Sequence, residues 1–269
     1  MTARGVGRVA RLFASLAMAA AATSSAPASV LAPASSSGPA SSSGPASSSG
    51  PANSSGPANS SGPATAATPA TEEPPTNLLS GAPAHGAAID PVFAHLQLDR
   101  LACRFSEEKH IALLARPLRS SGAIAFDRAR GIARVTESPH PEQVVVTRAS
   151  IILRKAGRTE EIPLDKTRDL RAFALIFPTL LRGERAELER SFDLGLYGSA
   201  AGWWALAFTP RADSLRALVR RVVVIGRGGA LVALQIAEAS GDTTETHLSD
   251  IRTNSAVPDA EIAAAFGAR

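Results

Sequence analysis

The sequence predicts an α+β domain: a strongly curved antiparallel sheet of about ten or eleven strands, with helices plugging its mouth. Three observations point there. Apolar and polar residues alternate in short runs over 102–163 and again over 191–252, as half-buried strands require, because successive side chains leave opposite faces of a pleat. Between those blocks the period changes to one helical face, carried by Leu170, Phe173, Ala174, Phe177, Leu180 and Leu181. Tight-turn residues punctuate the runs at Ala156-Gly157-Arg158, Arg227-Gly228-Gly229 and Gly241-Asp242.

The folded domain is expected over residues 86–269. It opens with a helix near Ile89, capped by Asp90 with Pro91 in its first position. Strands are then expected at 102–109, 111–116, 121–127, 132–138, 143–148, 150–155 and 159–163. Gly122, Ile124 and Phe126 share one face, and Ile132, Arg134 and Thr136 share a face of the next strand. The helical face from Leu170 to Leu181 ends at Gly183, and Pro178 inside it should kink or shorten the helix. A short polar helix at 184–190 precedes strands at 191–197 and 203–209. A short helix or loop at 213–217 leads to strands at 220–226, 230–237 and 245–252, and Pro258-Asp259 opens a terminal helix that runs to Phe266.

The first 85 residues are expected to stay outside the core. Residues 1–28 resemble a secretory signal peptide: Arg4, Arg8 and Arg11 form a basic start, and an apolar run follows that is too short to span a bilayer. Ala26-Pro27-Ala28 supplies small residues for cleavage, and no cysteine follows to carry a lipid. Residues 29–85 read as a linker. Ser-Ser-Ser-Gly-Pro-Ala recurs from Ser35, Ser41 and Ser47, and Asn-Ser-Ser-Gly-Pro-Ala from Asn53 and Asn59. Gly and Ser maximise chain entropy and Pro removes amide donors, so nothing there repays ordering.

Composition excludes several function classes. The net charge of +4 owes much to the three arginines of the leader, and beyond a tight basic pair at Arg220-Arg221 no basic run is interleaved with aromatics, so a nucleic-acid reader is not expected. A mild attraction to anionic lipids is compatible with the charge. Cys103 is the single cysteine; it forbids an internal disulfide and reads as a small buried apolar residue. The histidines, His85, His95, His110, His140 and His247, lack metal-ligand spacing. There is no nucleophile elbow and no phosphate loop. Glu107-Glu108 and Glu160-Glu161 face opposite ways on a strand, so neither pair can act as acid and base together; all four read as solvated positions. No catalytic residue, cofactor or metal is expected.

The ordered motifs resemble the LolA-like family of periplasmic outer-membrane lipoprotein carriers. They are Phe105-Ser-Glu-Glu-Lys109, then Ser120-x-Gly122-x-Ile124-x-Phe126-Asp127-Arg128, then Ile132-x-Arg134. Further on come Gly202-x-Trp204-x-Leu206-x-Phe208-x-Pro210, Glu238-x-x-Gly241-Asp242-x-Thr244 and Asn254-x-x-Val257-Pro258. The resemblance implies an unclosed half-barrel whose concave face binds acyl chains, with no enzyme activity. It places Phe105, Ile124, Phe126, Ile132, Phe173, Phe177, Leu181 and Trp204 in the cavity. It makes Arg128 the latch between sheet and helical lid, although Ala129 stands where the family usually has proline, which leaves Arg130 as the alternative latch. Aromatic residues are only 4% of the chain, so aliphatic side chains must do most of the lining, as in a divergent branch.

The expected protein is then a monomeric periplasmic carrier. Its cargo is an acylated lipoprotein or other lipid, with transient partners in an inner-membrane exporter and an outer-membrane acceptor. Two alternatives stand beside it: a lipid-sensing regulatory module of the same fold that signals to a membrane partner, and an enzyme with a scattered site.

Overall fold

The computed structural model describes residues 73–165 and 168–267. The expected signal peptide, and the linker as far as residue 72, lie outside the described residues. The domain is an eleven-stranded, wholly antiparallel sheet that does not close. In chain order the strands are β1 (Arg100–His110), β2 (Leu118–Asp127), β3 (Gly131–Ser138), β4 (Glu142–Val146), β5 (Ser150–Lys155), β6 (Arg158–Pro163), β7 (Phe192–Gly198), β8 (Trp203–Pro210), β9 (Val219–Arg227), β10 (Ala230–Glu238) and β11 (Thr243–Thr253). Their spatial order is β6-β5-β4-β3-β2-β1-β11-β10-β9-β8-β7.

That order explains the lid. The first six strands meander outward to one edge, and the last five meander inward from the other until β11 pairs with β1. The chain must therefore pass from edge strand β6 to edge strand β7, and it does so through three short helices: α2 (Arg168–Ala174), α3 (Ile176–Leu181) and α4 (Arg185–Glu189). Helix α1 (Asp90–His95) precedes the sheet, α5 (Asp213–Arg216) joins β8 to β9, and α6 (Asp259–Phe266) ends the domain. No helix among the described residues is long and apolar enough to cross a membrane.

Three local expectations change. Residues 111–116 are a loop and not a strand: β1 leaves its ladder at His110, opposite Thr243, and the next free amide, Ala112 N–H, goes to the Asp242 carboxylate at 3.1 Å. The helix over 170–181 is interrupted, as Pro178 leads one to expect, but the break falls at Leu175 (φ −92, ψ 2), three positions before the proline. The break makes Pro178 the third residue of a new helix, where no amide donor is needed and the ring meets no preceding carbonyl. At α1 the N-cap is Ile89, and the Asp90 carboxylate instead pairs with Arg185 of α4.

Both faces of the sheet are covered. The concave face holds the main core, including the fully buried Phe126, Leu180, Leu181, Trp204, Leu206 and Phe208. On the convex face, Ile262 of α6 and Val257 pack on Ala102 and Ala125. Residues 74–85, expected as the end of the linker, also lie on the sheet. Leu78 and Leu79 pack against a cluster of Ala205, Ala207, Val223, Ile225 and Ala233, and Ala84 exchanges hydrogen bonds of 2.7 and 2.8 Å with Leu196. Apolar Leu78 and Leu79 have a small-residue surface to bury against, and the Ala84 pairing covers part of edge strand β7.

Candidate functional site

Period-2 alternation sends every second side chain of each strand inward, and the register aligns these positions into rows across the concave face. One row runs Cys103, Ile124, Arg134, Val144 and another Leu101, Phe126, Ile132, Val146. From the other half of the sheet, Thr246 faces Leu234 and Thr244 faces Ile236. Where the two halves curve toward each other, helices α2 and α3 lie across the gap.

A cavity of about 100 Å³ remains beneath them. Its sheet walls are Ile124, Ile132, Arg134, Val144 and Val146 on one side, and Val222, Leu234, Ile236 and Thr246 on the other. Its roof is Phe173, Ala174, Ile176 and Phe177. A dry cavity of about 150 Å³ holds one benzene-sized molecule, so this space cannot take a long hydrocarbon chain while the lid is down. The lid's own apolar face, with Phe173 and Phe177, fills the groove.

Of the residues expected to line the cavity, Ile124, Ile132, Phe173 and Phe177 meet at it. The other four are buried nearby but outside the lining. Phe105 lies under the Arg134 guanidinium, 4.2 Å from ring centroid to Cζ. Phe126 lies 5.9 Å from the Arg182 guanidinium. Leu181 joins the lid to the segment between α1 and β1 through its carbonyl, which accepts the Leu98 N–H at 2.9 Å. Trp204 is pressed against Gly226, where an added Cβ would come within 2.2 Å of the indole, and its Nε1 donates to Gly228 O at 2.8 Å. The residues not foreseen are aliphatic positions of β4, β9 and β10 and the polar Arg134 and Thr246. Arg134 shares the inward face of Ile132, which was the one available signal.

One end of the cavity is polar. Glu107, expected to be solvated, is only 4% exposed because it shares the inward face of Phe105. Arg134 grips it with two hydrogen bonds of 2.8 Å, Thr246 Oγ1 donates at 2.9 Å and Ser120 Oγ at 3.2 Å. The buried carboxylate is thus held by a bidentate fork and two hydroxyls, the condition under which burying an ion pair is tolerable. Glu108, its neighbour, faces the other way and pairs with Arg119 at 2.9 Å. Glu160 and Glu161 are exposed, as expected.

The opposite end holds Arg128, in the turn between β2 and β3. Its Nε donates to Asp99 Oδ1 at 2.9 Å, and its Nη1 reaches the Arg182 carbonyl at the end of α3, at 3.4 Å. Arg182 answers: its Nε donates to the Arg128 carbonyl at 3.3 Å. Desolvation of the Arg182 guanidinium, with a smaller push from Arg148 and Arg128 against the pull of Glu184, lowers its pKa from the ordinary arginine value. Arg182 carries no sequence signal beyond its place before Gly183, which ends the helix at φ +73.

The chain is similar to known proteins. The family described as outer membrane lipoprotein carrier protein LolA-like matches residues 81–267. An outer-membrane lipoprotein carrier protein from Dechloromonas aromatica (strain RCB) is 27% identical over 178 residues, which is 66% of this chain and 83% of that protein. Among solved structures, a LolA superfamily protein from Nitrosomonas europaea aligns with a TM-score of 0.36 at 9% identity, covering 66% of this chain and 97% of that one. The MucA/MucB complex of Pseudomonas aeruginosa gives 0.38 at 12% identity, covering 65% of this chain and 58% of that one.

Proposed function

The chain belongs to the LolA-like outer membrane lipoprotein carrier family, and from that premise we propose that it is an exported periplasmic carrier. It takes acyl chains of lipoproteins or related lipids from an inner-membrane exporter and delivers them toward an outer-membrane acceptor. The observation that carries the reading is the lid-filled apolar cavity between β2–β4 and β9–β11. Each methylene moved from water into such a groove is worth about 0.8 kcal/mol, so one long chain supplies several kcal/mol toward displacing Phe173 and Phe177.

Release needs the reverse bias. The Arg128–Arg182 clasp exists only when the lid is closed, so it favours the empty state and helps expel the cargo. Arg128 is the latch in this reading, and Arg182 is its counterpart on the lid. The test is to purify the full chain from an envelope extract and analyse what comes with it by lipid mass spectrometry. Acylated molecules are expected in stoichiometric amounts. Their complete absence, with the protein folded, would reject the carrier role.

A further inference from the structure

A domain that hides its large apolar side chains makes one exception. Leu113 and Leu114, in the loop between β1 and β2, are 94% and 49% exposed and are the exposed large hydrophobic residues among those described. A single exposed leucine is ordinary, but two adjacent ones at a loop tip are not. The tip is held in shape from below. Asp242 Oδ1 accepts the Ala112 N–H at 3.1 Å, and the Leu114 N–H donates to Ile111 O at 2.9 Å.

The charge around it is biased. Arg116, exposed on the same loop, has no hydrogen-bond or ion-pair partner among the described residues. Arg158 and Arg220 lie at the same end of the sheet, on β6 and β9, five and three strands along from β1, and have no carboxylate partner among the described residues. The carboxylates beside the loop are engaged, Glu108 with Arg119 at 2.9 Å, Glu238 with Lys109 at 2.5 Å and Asp242 with the loop amide, while Glu160 and Glu161 of β6 are exposed farther along the rim.

We propose that the β1–β2 loop docks the protein on a bilayer that carries anionic headgroups. Leu113 and Leu114 enter the boundary between headgroups and acyl chains, while Arg116, joined by Arg158 and Arg220 along the rim, meets phosphates. A protein partner fits the observation less well. Stable protein interfaces bury about 800 Å² per partner, which a two-residue tip cannot supply, whereas a fluid lipid surface closes around a small wedge. The inference needs no cargo in the cavity and stands apart from the carrier reading.

The test labels Ala112→Cys in the full chain with an environment-sensitive fluorophore. Cys103 is buried and its thiol is pushed up to about 12, so labelling falls on the new site. Adding vesicles of phosphatidylethanolamine and phosphatidylglycerol should shift the emission to the blue. A label at Ser199→Cys, in the turn between β7 and β8, should stay water-like. Leu113→Asp with Leu114→Asp should weaken partitioning at the loop by about tenfold or more, and Arg116→Glu should make the remaining binding less sensitive to salt. Four results would overturn the proposal: a silent Ala112 label, a response unchanged by the aspartates, an equal response to pure phosphatidylcholine, or a vesicle-free shift that grows with protein concentration and so marks a second copy.

Discussion

Arg128 and Arg182 hold each other's backbones: the guanidinium of each donates to the carbonyl of the other, at 3.4 and 3.3 Å. One belongs to a sheet turn and the other to the end of α3, so the clasp ties lid to sheet, beside the Arg171 hydrogen bond to the Arg148 carbonyl at 3.1 Å. In the proposed carrier cycle the clasp belongs to the closed form, so its loss is expected to shift the balance toward an open, loaded form. Arg128→Leu is expected to slow cargo release by about tenfold, the worth of a hydrogen bond to a charged group. Arg128→Leu with Arg182→Leu should be no slower than the worse single variant, because both remove one interaction. Off-rates of a fluorescent acyl lipid from the four proteins check this, and equal rates in parent and Arg128→Leu would remove the latch.

At the other end of the cavity, Glu107 is the anchor of the buried polar group. Glu107→Leu strands the Arg134 guanidinium without its carboxylate and is expected to cost about 3–5 kcal/mol of stability. Replacing both, Glu107→Leu with Arg134→Leu, should recover much of that loss. Urea denaturation of the parent, both singles and the double variant measures the cycle. A Glu107→Leu protein as stable as its parent would mean that the pair is not buried.

Gly122 leaves room for its neighbours' backbone. A Cβ there would lie 2.0 Å from Val135 O, 2.9 Å from the Phe105 ring and 3.0 Å from Thr136 Cα. Backbone atoms cannot step aside as a side-chain tip can, so Gly122→Ala is expected to cost about 1–3 kcal/mol or more. Thermal unfolding should show the loss, and an unchanged midpoint would contradict the packing of Phe105 across β2.

Burial pushes the Cys103 thiol up to about 12 from 9.0, against a smaller opposing pull from its backbone hydrogen bond with Ile124. The folded state therefore keeps a proton that the unfolded chain releases above its ordinary thiol range. Stability should fall as pH rises through that window, by up to about 1.4 kcal/mol per pH unit from this group. Cys103→Ala should flatten the alkaline slope relative to the parent. Parallel slopes between pH 8 and 10.5 would contradict the buried thiol.

Much of the fold is legible in the sequence because alternation, turns and a change of period are local signals. They place all eleven strands within a few residues and locate the lid between them. The loop at 111–116 was misread because its apolar residues, Leu113 and Leu114, face water and not a core. The inward pointing of Glu107 was missed because a carboxylate ordinarily marks the solvent face, and only the register with Ser120, Arg134 and Thr246 reveals its partners. In the cavity, Ile124, Ile132, Phe173 and Phe177 could be named from motif and period. Val222, Leu234 and Ile236 could not, since a buried aliphatic residue looks the same whether it faces a lid or another strand. Arg182 was hidden for a similar reason: its partner is a backbone carbonyl distant in sequence.

The central claim is that an acyl chain replaces the lid within the curved sheet. The most direct measurement uses a diacyl lipopeptide with a photoreactive group at the end of one chain, irradiated with the full chain and mapped by mass spectrometry. The account predicts adducts on Ile124, Ile132, Val144 and Phe177, and their loss when Phe173→Asp places a charge in the roof. Adducts confined to the convex face, or none at all with the protein folded, would contradict it.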